Sequence, residues 1–99
     1  MKERLEMILR NDQLSRIEFG DEEMTIDLHQ MKSAECMWLI RTIVASTMIG
    51  FRLNLIHGYN HGTTLKEMLR SQKISSRVID LYSDPWNPGL THVSIVKMA

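Results

Sequence analysis

Thr25-Ile26-Asp27-Leu28-His29 and Leu55-Ile56-His57-Gly58-Tyr59-Asn60-His61-Gly62 are joined by one helix-length stretch. Each segment reads as a buried strand that ends in polar residues. Between them, Cys36, Leu39, Ile40, Ile43, Val44, Thr47 and Met48 fall on one face at helical spacing, with Gly50 as a C-terminal stop. A strand, a helix and a strand of these lengths form a right-handed βαβ unit with parallel strands. Both strands then end at one edge of the sheet. Asp27, His29, His57 and a glycine-containing loop gather at that edge. Open α/β sheets bind their ligands at the carboxyl ends of the strands.

Working outward, Leu5, Ile8 and Leu9 predict a short N-terminal helix over 2–10. Arg16 to Phe19 reads as an edge strand or an extended lead-in, and Gly20-Asp21 as a turn. The first strand runs from Met24 to His29, and Phe51 to Ile56 is the second. A second helix starts near Thr64, where Thr64-Leu65-Lys66-Glu67 fits a capping box, and ends around Gln72. Arg77 to Tyr82 and His92 to Met98 alternate as strands, around a loop carrying Pro85, Trp86, Pro88 and Gly89. The expected fold class is α/β, with the order β-α-β-α-β-β after a short N-terminal helical extension. The expected division is an N-terminal extension, 1–20, and one domain, 21–99.

Ninety-nine residues suffice for one domain with a modest core. A single cysteine, Cys36, excludes an internal disulfide and the Cys-rich zinc patterns; it reads as an inert core residue. No apolar run is long enough to span a bilayer, and the charged N-terminus lacks the apolar core of a signal peptide. The expectation is a cytoplasmic protein with no membrane partner. Net charge is zero, which argues against strong non-specific nucleic-acid binding. The charge is uneven, however. Residues 1–50 hold six Lys/Arg against nine Asp/Glu, and residues 51–99 hold six against three.

Asp27 and His29, two apart on a strand, project to the same side. A carboxylate and an imidazole so placed can hold one divalent metal, or act as a base and its orienting partner. The plainer reading makes Asp27 a backbone cap and His29 a half-buried hydrogen-bonded residue. The loop from His57 to Gly62 enters a helix N-terminus, whose free N–H groups and dipole favour a phosphate. His57 and His61 can add donors, and Lys66 can reach the same anion. Plainly read, Gly58 and Gly62 serve turn geometry alone. Tyr59 can stack on an unpaired base, whereas Trp86 is expected to pack over the core edge. His92 opens the last strand with no assigned role.

Taken together, the two strand ends resemble the Smr domain family, the small MutS-related domain. Ile26-Asp27-Leu28-His29 is similar to the family's Leu-Asp-Leu-His signature. Ile56-His57-Gly58-Tyr59-Asn60-His61-Gly62 is similar to its His-Gly-x-Gly-x-Gly loop. The resemblance covers roughly residues 24–98. It departs at Gln30, where glycine is usual after the histidine, and at Asn60, where the loop has its middle glycine; one extra residue stands in Thr63-Thr64.

The resemblance implies a two-layer α/β sandwich with helices packed on a four-stranded mixed sheet. It also implies nucleic-acid binding, to DNA or structured RNA, and in a number of members an endonuclease activity supported by Mg²⁺ or Mn²⁺. Catalysis would fall to Asp27 and His29, which would also hold the metal. Binding would fall to His57, Gly58, Tyr59, Asn60, His61, Gly62 and Lys66. No organic cofactor is expected. Two alternatives stand beside this one: a binding module without catalysis, and an interaction domain that meets a protein partner through its N-terminal extension.

Overall fold

The computed structural model describes residues 2–58 and 62–98, and of residues 62–65 the backbone alone. The elements run α1 (Lys2–Ile8), α2 (Asn11–Leu14), β1 (Ile17–Phe19), β2 (Glu23–Asp27), α3 (Ser33–Ser46), β3 (Phe51–Ile56), α4 (Gly62–Ser71), β4 (Val78–Ser83) and β5 (Leu90–Ile95). Among the described residues they form an α/β fold around one mixed sheet with strand order β1-β2-β3-β5-β4. β2 and β3 are parallel, with Ile26 opposite Leu55, and the other neighbours are antiparallel. None of the described helices is long and apolar enough to cross a membrane.

The sheet has five strands where four were expected. Ile17–Phe19 pairs antiparallel with β2, Ile17 opposite Ile26 and Phe19 opposite Met24. The strand places Ile17 in the buried core and Phe19 against it. It is held by the open hydrogen-bonding edge of β2, which sequence periodicity does not display. Residues 1–20 also contribute to the core, since Leu5 and Leu9 are buried in the same cluster as the sheet residues. Glu35 Oε2 ties this segment down by accepting from Arg10 Nη2 at 2.8 Å and Gln13 Nε2 at 3.2 Å. Ile8, expected on the apolar face, is exposed instead.

Strand alternation sorts the sheet into two faces. Met24, Ile26, Leu53, Leu55, Val93 and Ile95 are buried with Leu39, Ile40, Ile43 and Val44 of α3. The opposite alternate positions carry Glu23, Thr25, Asp27, Arg52, Asn54, His92 and Ser94, of which Glu23, Thr25, Arg52, Asn54 and His92 are joined by polar contacts. Arg52 Nη2 lies 2.7 Å from Glu23 Oε2. Asn54 Nδ2 reaches Glu23 Oε2 and Thr25 Oγ1, and His92 Nδ1 lies 2.7 Å from Asn54 Oδ1.

α3 ends at Ser46, short of the expected stop at Gly50, with Thr47 in extended backbone. Thr47 Oγ1 donates to the Val44 carbonyl, and the Arg77 guanidinium covers the carbonyls that follow. Gly50 serves close packing instead. A Cβ there would come within 3.2 Å of the Ile95 carbonyl oxygen and the Lys97 nitrogen. Met48, placed on the buried face by periodicity, lies beyond this early stop and is exposed. The capping box around Thr64 lies outside the residues described to side-chain level.

Candidate functional site

β2 and β3 end at the same edge, and β5, antiparallel to β3, begins there. Three connections therefore meet at this edge: residues 28–32, the start of the glycine loop at His57-Gly58, and the turn 84–89.

At the first connection, Asp27 Oδ1 accepts from the His29 backbone N–H at 3.1 Å and lies 2.6 Å from His29 Nδ1. A carboxylate accepts only, so Nδ1 carries the proton that it donates and Nε2 is left facing outward. Among the described residues nothing hydrogen-bonds Nε2, and the His29 side chain is 54% exposed. Arg16 holds the backbone beneath, donating from Nη1 to the Asp27 and His29 carbonyls. Burial pushes the Asp27 carboxyl up. Hydrogen bonds from the His29 ring and backbone, with the charges of His29 and Arg16, outweigh that effect and hold it below its usual 3.8. The pair is an oriented imidazole with one nitrogen free. That is the form needed by a general base or a single metal-ligating histidine.

Gln30 follows with φ +63°, a left-handed backbone that glycine adopts without cost. The position where the resembled family has glycine is thus one that needs it sterically. An L-residue there costs about 1–2 kcal/mol, partly offset by glycine's greater freedom when unfolded. Gln30→Gly is expected to stabilise the chain by about 0.5–1 kcal/mol, raising the melting temperature by a few degrees. Gln30→Val is expected to lower it, and a pair of thermal melts decides.

At the second connection, the His57 ring is buried, at 2% exposure. Nδ1 lies 3.1 Å from the Gly58 carbonyl oxygen and so carries the proton; Nε2 accepts from Thr91 Oγ1 at 2.8 Å. The ring thus has no free donor for a phosphate. The backbone N–H groups of His57 and Gly58 are also taken, since both donate to the Gly89 carbonyl, at 2.9 and 3.1 Å. What remains for an anion is the N-terminus of α4 from Gly62 onward, with Lys66 in its second turn. Tyr59, Asn60 and His61 lie outside the described residues. Gly58 has φ +76°, and a Cβ at Gly89 would lie 3.2 Å from Gly58 Cα. The two loops thus meet backbone to backbone, and both positions need glycine, for different reasons.

Burial holds His57 below its ordinary 6.5, and the nearby Lys66 charge adds to this. The unfolded chain therefore takes up a proton near pH 6.5 that the folded chain resists. His57 contributes full stability above that pH and loses it as pH falls from 6.5 toward the lowered folded value. Denaturant midpoints measured from pH 7.5 to 5 are expected to fall, with a slope of at most about 1.4 kcal/mol per pH unit from this one group. His57→Gln is expected to flatten the slope in that window. The carboxyls of Asp27 and Asp84 are also lowered from 3.8, so their contributions are lost only below that value.

From the sequence, the third connection offers the aromatic loop at Trp86, which in the interaction-domain alternative would serve a protein partner or self-association. Asp84 Oδ1 lies 2.8 Å from His92 Nε2, while Oδ2 accepts from the Trp86 and Asn87 N–H groups. Trp86 does not pack over the core edge: it is 91% exposed. Among the described residues no apolar side chain covers this ring, which stands on a turn that carries Pro85 and Pro88. His92, given no role from sequence, anchors this turn to the sheet. Cys36 is buried as expected, and burial pushes its thiol up to about 11, which keeps it inert.

A metal finds partial provision here. Among the described residues no group of three His, Cys, Asp or Glu side chains could hold an ion. Mg²⁺ and Mn²⁺ also bind through one carboxylate together with waters and substrate phosphate. Asp27, with Oδ1 committed to His29 and Oδ2 outside that contact, suits such a role. No protein-family model matches the chain, and no curated protein matches it in sequence.

Proposed function

We propose that this chain is an Smr-like domain that binds DNA or structured RNA along the edge formed by the three connections, and cleaves it there. The observation that carries the reading is the Asp27–His29 pair. It is exposed, oriented at 2.6 Å, and shares its edge with the start of the glycine loop. A phosphate would rest at the N-terminus of α4, its charge met by the free N–H groups, the helix dipole and Lys66. Tyr59, Asn60 and His61 belong to the same loop. His29 Nε2 takes the proton of the attacking hydroxyl, whether water or a ribose 2′-hydroxyl, as that oxygen bonds to phosphorus and the far ester oxygen leaves. Asp27 keeps the ring in the tautomer that can accept this proton. Mg²⁺ or Mn²⁺, held by Asp27, would polarise the phosphoryl oxygen. His57 serves by shaping the loop, through Thr91. A cytoplasmic place for the protein belongs to the same reading.

The open sheet face limits where the strand can run. Glu23, Asp80 and Asp84 lie on or beside it, and Arg52 is already paired with Glu23. A phosphate backbone laid across it would meet like charge. The edge also carries Asp27 and Asp84, each in contact with a histidine, but has Arg16, Lys32 and Lys66 around it and is the more favourable track.

The test is an assay on labelled single-stranded RNA, hairpin RNA and branched DNA, with Mg²⁺, with Mn²⁺ and with a chelator. Wild type is expected to cleave and Asp27→Ala to bind without cleaving. Salt-sensitive binding with no product from either protein would reduce the reading to a binding module. Absence of binding would leave the interaction domain, with exposed Met7 and Ile8 of the N-terminal segment as its contact.

A further inference from the structure

We infer that Trp86 is a fixed stacking platform for an unpaired base of the nucleic acid whose phosphate lies at the neighbouring loop; the inference rests on the function proposed above. Among the described residues Trp86 is the most exposed of the large hydrophobic side chains, at 91%. Its backbone, in contrast, is fastened at several points. Its N–H and that of Asn87 donate to Asp84 Oδ2, and Gly89 N donates to Asn87 Oδ1 at 3.0 Å. The Asp84 N–H donates to the Leu90 carbonyl, closing the turn at its base. Asp84 Oδ1 meets His92, His92 meets Asn54, and Asn54 meets Thr25, so the turn is tied across three strands of the sheet. Tyr82 packs beside the His92 ring at 5.1 Å between centroids.

The other end of the turn is joined to the proposed phosphate loop. Gly89 accepts from both His57 and Gly58, and the two glycine backbones are in contact. Trp86 stands three residues from Gly89, so at most about 11 Å of chain separates them. That is within reach of a base one or a few nucleotides from the bound phosphate.

The chemistry favours a nucleobase over a charged or aliphatic partner. The ring is uncharged, and the acid of its turn, Asp84, is engaged by His92. Stacking needs only a π face and tolerates any base. A ring whose backbone is already fixed loses little freedom on binding. A fully paired duplex presents no free base face, so the platform would select single-stranded, bulged or looped sites.

The experiment measures binding of wild type, Trp86→Ala and Trp86→Phe to a labelled single-stranded RNA and to its fully paired duplex at one salt concentration. Trp86→Ala is expected to weaken single-strand binding roughly 5- to 150-fold, Trp86→Phe to keep most of it, and the duplex to be bound alike by all three. In Trp38→Phe, where Trp86 is the remaining tryptophan, single-stranded RNA is expected to quench the fluorescence. Equal single-strand binding by wild type and Trp86→Ala, with cleavage still dependent on His29, would overturn the platform and leave the proposed function standing. No nucleic-acid binding by wild type would overturn both.

Discussion

Replacing His29 with alanine is expected to lower phosphodiester cleavage by about 10²–10⁴-fold, the usual worth of a positioned general base. Binding should change little, because His29 stands beside the phosphate track and its Nε2 acts on the attacking hydroxyl. Asp27→Asn should cost a similar factor. The amide can still meet the ring, but it no longer enforces a proton on Nδ1, and half of its orientations present an N–H to that nitrogen. As base and orienting partner the two side chains act as a unit, so any loss in Asp27→Asn with His29→Ala beyond that of His29→Ala alone measures the metal role of Asp27. Single-turnover rates at saturating substrate separate these losses from weaker binding. Stability gives the control. Both side chains are about half exposed, so losing their contact should cost no more than about 1 kcal/mol. Wild-type cleavage by a folded His29→Ala protein would remove the dyad from the mechanism. A 2′-deoxy substitution at the cleaved position then identifies the nucleophile, since only a 2′-hydroxyl attack requires the missing oxygen.

The Asp27–His29 contact was legible in the sequence because it is local. The structure ends β2 at Asp27 and puts His29 in the turn that follows. Asp27 Oδ1 accepts the His29 N–H and lies 2.6 Å from Nδ1, so the side chains meet through this turn rather than by strand alternation. The βαβ unit was legible for the same reason: Met24, Ile26 and Leu28 alternate, and α3 repeats its apolar face turn by turn. Register-dependent features were hidden. His57 reads as a loop-end histidine until Thr91, 34 residues away and opposite Leu55 in the sheet, is brought within hydrogen-bond reach of its ring. Asn54 and His92 are 38 residues apart and meet because β3 and β5 pair antiparallel. The fate of Trp86 hangs on that same chain of contacts. Pro-Trp-Asn-Pro-Gly announces a turn, but whether its ring is covered depends on where the pinned Asp84 aims the turn. β1 fell between these cases: an edge strand or a lead-in by sequence, its pairing decided by the free edge of β2.

Arg77→Ala is expected to be among the most destabilising substitutions in the chain, at about 3 kcal/mol. Arg77 sits just before β4 and reaches back to the end of α3. Its Nη1 donates to the Val44 and Thr47 carbonyls, both at 2.6 Å; Nη2 donates to Ile49 and Nε to Val96, both at 2.9 Å. The last carbonyls of a helix have no partner within it, and the dipole makes that end negative. One guanidinium thus supplies donors and charge at once to the helix end, the α3–β3 connection and the segment after β5. Hydrogen bonds from a charged donor are worth more than neutral ones. Without Arg77 the Val44 carbonyl keeps Thr47 Oγ1, while the part-buried Thr47 carbonyl loses its donor and bears a desolvation cost. Arg77→Lys should recover less than half of the loss, because an ammonium cannot span four oxygens in the plane of a fork. For a domain of this size the alanine variant should melt roughly 10–20 °C lower. The effect on cleavage should be small below the melt, because the C-terminal end of α3 lies at the edge of the sheet opposite Asp27 and His29. A variant that melts like wild type would mean that water caps α3 as well as Arg77 does. One that stays folded but loses cleavage would mean that the end of α3 and the candidate site are coupled through the helix.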